Sequence, residues 1–153
     1  MFTLTRPVSA LLIGGFAFLV APHYELLYGP DFELGHFEPW VGYVGLAVGW
    51  VFVGGLIGRR ALWFSIYAAA QGIVLTAVVS AGMFAVRQVF ILGYRQRIRE
   101  PFEAVLAIPQ IAWDYLRIAL QKDFLLLLGG GALILGLMLH LIHAWMERRR
   151  NAR

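Results

Sequence analysis

The stretch WVGYVGLAVGWVFVGGLIGRR, Trp40–Arg60, decides the fold. Its first nineteen residues, Trp40–Gly58, carry no charge. A helix of that length covers about 28 Å at about 1.5 Å per residue, close to the ~30 Å hydrocarbon core of a bilayer. The stretch therefore reads as a membrane-spanning helix. Arg59 and Arg60 close it, and Ala61–Val86 follows at once with twenty-six uncharged residues. So short a basic link makes the two spans an antiparallel hairpin, and the arginines mark the cytoplasmic side.

Working outward, Phe124–Met146 supplies another twenty-three uncharged residues and a further span. Pro7–Ala21 has only fifteen, about 22 Å of helix. Arg6 followed by a short apolar stretch also fits a signal peptide, but Pro22 after Ala21 spoils a small-x-small cleavage site. Extending the run through Leu27 gives an uncleaved, kinked span, with Pro7 suited to its first turn. The expected architecture is all-α: four transmembrane helices over about 7–27, 40–58, 61–92 and 124–146, in a single membrane domain of residues 1–153.

Composition agrees. The 153 residues are 60% hydrophobic and 14% charged, against roughly 45–50% and about 25% in soluble domains. The net charge of +4 comes from basic residues at the ends of apolar runs. That pattern serves orientation and lipid headgroups, so the lipid bilayer is the expected partner and nucleic acid is not. The chain has no cysteine, which excludes disulfides, thiolate metal sites and thiol redox chemistry.

Charge also sets the expected topology. Arg6, Arg59, Arg60, Arg148, Arg149, Arg150 and Arg153 fall on one side, whereas Ala21–Trp40 contains four carboxylates and no Lys or Arg. Both termini are therefore expected in the cytoplasm, with Ala21–Trp40 outside. Arg87–Asp123, with six basic and four acidic residues, then also falls outside, against the rule. Either the third helix runs past the bilayer through Arg87, or the segment lies among headgroups. From Phe102 to Gln121 the polar residues Glu103, Gln110, Asp114, Arg117 and Gln121 recur at steps of 7, 4, 3 and 4. One polar stripe on an apolar helix favours an amphipathic interfacial segment over about 102–121, kinked at Pro109.

Small residues at helical spacing mark faces for close packing in lipid. They are Gly45, Gly49, Gly54 and Gly58 in the second span, Gly72, Thr76 and Ser80 in the third, and Gly129, Ala132 and Gly136 in the fourth. A substrate path along the glycines is the alternative. His140 and His143 share a face with no carboxylate before Glu147, fewer ligands than the three or four a metal site uses. His23-x-Glu25 and His36-x-Glu38 could together offer two imidazoles and two carboxylates to one divalent ion, but nothing fixes their geometry and the Gly- and Pro-containing loop reads as a solvated turn. No metal or other cofactor is expected, and no nucleophile–base pair or phosphate-cradling loop points to an enzyme. Arg95, Arg97 and Arg99 cluster on the expected outer side. They pair with the acidic loop or lipid phosphate, or form an oxyanion-attracting patch, since guanidinium groups bind such oxygens bidentately.

The order of features resembles the TrgA family, small bacterial inner-membrane proteins associated with tellurite resistance. The similar residues are GLAVGWVFVGGLIGRR (Gly45–Arg60), Gln71–Gly72, and an Arg/Tyr-rich stretch leading to PFEA (Pro101–Ala104). They cover most of the chain from about Trp40 onward. The resemblance implies a four-helix protein of the bacterial cytoplasmic membrane, connected with tolerance of a toxic oxyanion and with no assigned active site. A different expectation is a small accessory or assembly subunit, docked in a larger membrane complex or a homo-oligomer.

Overall fold

The computed structural model describes residues 5–29, 35–57, 61–94 and 101–151, and every element within them is helical. In chain order these are α1 (Thr5–Tyr28), α2 (Phe37–Leu56), α3 (Leu62–Tyr94), α4 (Pro101–Ala119) and α5 (Lys122–Asn151). Four of them, α1, α2, α3 and α5, are long and apolar enough to cross a membrane.

Local chemistry sets the ends. Gly29 takes a positive φ of 95° and its N–H donates to Glu25 O at 3.2 Å, closing α1 on a residue that lacks a Cβ. α1 starts two residues earlier than the apolar run suggests and includes Pro22, as the kinked-span reading requires. α2 begins at Phe37, three residues before the uncharged run, from His36 in the left-handed region (φ 61°). Its residues Gly49–Val53 form a π-helical turn. A π-turn inserts one residue into the α-ladder and so rotates the following side chains. Here Gly54 is delivered to the same side as Gly45 and Gly49, where all three meet α1.

α3 has thirty-three residues, about 50 Å of helix, so it continues well past Arg87 and past the ~30 Å a bilayer core spans. α1 packs chiefly on α2, while α3 packs on α5 and α4. Two apolar clusters result. One gathers Ile13, Val53, Ala69, Ile73, Ala132, Leu135 and Leu139 at mid-bundle. The other, at the Tyr24 end, joins Tyr24, Phe37, Phe84, Tyr115 and Phe124 with small residues between them. Leucines such as Leu19 and Leu126 stay exposed on the outside, as lipid-facing positions do.

α4 divides its circumference in three. Tyr115 is buried, with Ile108, Ile111, Ala112 and Ala119 packed beside it. Glu103, Gln110, Asp114 and Arg117 are exposed together. Phe102, Leu106 and Trp113 are exposed on a separate apolar strip.

Candidate functional site

The glycines of α2 sit against α1 at backbone distance. A methyl placed on Gly49 would lie 2.5 Å from Ser9 O and 2.7 Å from Ala10 Cα. On Gly45 it would lie 2.9 Å from Gly14 Cα, and on Gly54 2.8 Å from Arg6 Cα. Ser9, fully buried, ties the seam: its hydroxyl lies 2.9 Å from Gly49 O, and also within donating distance of Thr5 O and Arg6 O. The α1 half of this seam (Ser9, Ala10, Gly14, Ala17) escaped the sequence reading. Its signal was present as small residues at steps of 1, 4 and 3.

Gly72 receives Val53 and Ile13, and the Thr76 hydroxyl donates back to Gly72 O at 2.8 Å. In α5, Gly136 abuts the Ile66 backbone and Ala132 is buried. Gly129, grouped with them by spacing, meets nothing within 4 Å. It lies at the edge of the buried arc formed by Leu128, Ala132, Leu135 and Leu139, and Gly131 turns inward against the Phe16 ring instead. Gly58 and the arginines Arg95, Arg97 and Arg99 lie outside the described residues.

His140 and His143 are partly exposed near the end of α5, and the His143 Nε2 is buried without a hydrogen-bond partner. Among the described residues no three His, Asp or Glu side chains come together in a metal-binding group.

The Tyr24 end holds the most built-up geometry. Tyr24 stacks on Phe37 at 5.4 Å and meets Phe124 edge-on at 5.8 Å, while Phe37 lies 4.8 Å from Phe84. The Tyr24 hydroxyl donates to Tyr115 O at 2.8 Å, fastening α1 to α4 across 91 positions of sequence. Burial, with Tyr28 alongside, pushes the Tyr115 phenol up to about 12, and Arg87 opposes the shift. Rings of this size do not interdigitate as methyls do. They leave a cavity of about 90 Å³, walled by residues of all five helices and almost wholly apolar. Ser80 lines it, is 5% exposed, and its Oγ has no hydrogen-bond partner. The partnering of rings from five helices is a tertiary fact without a periodic signature.

The geometry is that of a multi-pass α-helical membrane bundle. Comparison with protein-family models, with curated proteins and with solved structures finds no match.

Proposed function

We propose that this chain is a protein of the bacterial cytoplasmic membrane, with both termini in the cytoplasm. It contributes to tolerance of tellurite or a similar oxyanion, through entry, efflux or envelope integrity, and performs no catalysis of its own. The observation that carries this reading is the Gly45–Arg60 segment, on which the TrgA resemblance chiefly rests. Its glycines Gly45, Gly49 and Gly54 sit at backbone distance from α1, so the motif has a physical role in building this bundle. The three faces of α4 support placing it at the membrane surface: one side on the bundle, the charged strip in water, and Phe102, Leu106 and Trp113 among acyl chains. The test is growth of a deletion strain across tellurite concentrations. It is complemented with wild type, with the triple Arg95→Gln/Arg97→Gln/Arg99→Gln variant, and with His140→Ala/His143→Ala. The expected result is a sensitive deletion strain, with tolerance restored by wild type and by the histidine variant, and less by the arginine variant. An unchanged deletion strain refutes the reading.

One observation favours a second reading, an accessory subunit of a larger complex. Among the described residues nothing lies within 4 Å of where a methyl on Gly129, exposed, or Gly130, half-buried, would sit on α5, and such glycines in lipid suit close approach by another helix. Recovery of a stable large partner in mild detergent, lost in Gly129→Leu/Gly130→Leu, would favour it.

A further inference from the structure

The cavity at the Tyr24 end has one feature that packing does not explain. Thr76 and Ser80 lie one turn apart on the same face of α3, and both line the cavity. Thr76 returns its proton to the carbonyl four residues back. That bond is equally open to a serine in a helix, yet Ser80 does not make it, although it is 5% exposed. A hydroxyl removed from water without a partner is costly, and more so in an apolar wall. Ser80 thus presents a free donor to an apolar space.

We propose that this cavity binds the acyl-ester region of a membrane lipid, with the ester carbonyl accepting from Ser80 Oγ and the adjoining methylenes against the apolar wall. Charge, size and depth converge on that occupant. Among the described residues no carboxylate, Lys, Arg or His lines the cavity, so a charged group would find no counter-ion there. Its volume of about 90 Å³ is below the ~150 Å³ of a cavity that admits benzene. A carbonyl and its neighbouring chain atoms fit, and a ring does not. Water is a poor occupant because it needs two to four polar partners, and among the described wall residues Ser80 carries the one fully buried side-chain polar atom without a partner. Arg59 and Arg60 precede α3 and mark one membrane face. Ser80 lies eighteen residues beyond Leu62, about 27 Å along the helix. That is near the opposite edge of a ~30 Å core, where lipid esters sit. Ala77, Leu116, Ala119 and Leu128 in the wall are partly exposed, so the cavity is not sealed from the surrounding apolar phase.

The inference rests on the chain spanning a bilayer and is independent of the tellurite reading, which is tested by growth. Full-length protein, delipidated in detergent, is titrated with dioleoyl phosphatidylcholine and with its diether analogue, and binding is followed by native mass spectrometry. One net hydrogen bond predicts about fivefold tighter binding of the diester. Ser80→Ala is expected to erase that preference, Ser80→Thr to keep it, and Ala119→Leu to weaken both lipids by filling the space. Equal binding of the two lipids by wild type overturns the proposal, as does a preference that survives Ser80→Ala. In a separate arm, thermal unfolding is followed with 2-butanone. A Ser80-dependent stabilisation there, without a diester preference, assigns the site to a free carbonyl compound and overturns the lipid assignment.

Discussion

Gly49→Ala should be the most damaging single-methyl addition in the α1–α2 seam. The new Cβ would lie 2.5 Å from Ser9 O, 2.7 Å from Ala10 Cα and 3.0 Å from Ala10 N. All three are backbone atoms, so no rotamer change relieves the clash. Ordinary contact between such atoms is about 3.5 Å, so α1 and α2 must separate by about 1 Å. A gap of that size forfeits a quarter to a half of the dispersion well for each facing pair. It also stretches the 2.9 Å contact from Ser9 Oγ to Gly49 O beyond hydrogen-bond range. Ser9 still has Thr5 O and Arg6 O to donate to, so no buried hydroxyl is orphaned. The net cost is that of overpacking, and with a backbone clash it belongs at the upper end of about 1–3 kcal/mol. Gly15→Ala is the control: nothing lies within 4 Å of that position, and alanine gains up to about 1 kcal/mol of helix propensity. Reversible unfolding in mixed micelles, followed by tryptophan fluorescence, compares the two. Equal stability of Gly49→Ala and Gly15→Ala would refute the tight seam.

Tyr24→Phe removes the hydroxyl that reaches Tyr115 O at 2.8 Å; a loss of about 1 kcal/mol is expected, with faster amide exchange in α4 than in α2. At high pH, Tyr115 keeps its proton to about 12 because burial disfavours the phenolate. Its unfolded counterpart ionises near 10. The folded state then holds more protons between those values, and stability falls as pH rises through them. Ultraviolet titration should show a late phenolate step that is missing in Tyr115→Phe. For topology, Glu33→Cys in this cysteine-free chain should react with a membrane-impermeant maleimide in cells whose inner membrane is intact. Labelling only after that membrane is breached would reverse the orientation.

The spans were legible because each is a long uncharged run, and the bilayer tolerates little else. Their ends were less so. α3 continues to Tyr94 and α5 to Asn151 because a helix that has left the hydrocarbon has no reason to stop at its first charge. Arg87 can sit on an exposed turn of the same helix as Ser65. The packing face of α2 was legible in its glycines, since lipid offers few other reasons for small residues at that spacing. The π-turn that brings Gly54 into register with Gly49 was not, because periodicity assumes the regular ladder it breaks. Gly129 and Gly131 show the same limit: two residues differ by more than half a turn, and only the neighbouring helix decides which faces it. The paired fates of Thr76 and Ser80 were invisible for a similar reason, since both are small hydroxyls one turn apart.

These details divide the bundle into two halves of different character. From Arg6 to Gly14, α1 meets α2 through backbone and Ser9, and Gly136 brings α5 to the same closeness with the Ile66 backbone of α3. Such contacts have no slack, because backbone atoms cannot repack. Beyond Ala17 the spacing is set by rings, and the wall includes Ser80 with its free hydroxyl. Rings can tilt and a cavity can fill or empty, so this half can respond to an occupant while the other holds the helices in place. α4 is fastened to the responsive half, through the Tyr24 hydroxyl and the packing of Tyr115. Any change in the cavity is therefore felt by a helix that carries both an exposed charged strip and an exposed apolar one. On this argument α4 and the Tyr24 end form one mechanical unit, and substitutions that alter function without unfolding the chain should concentrate there.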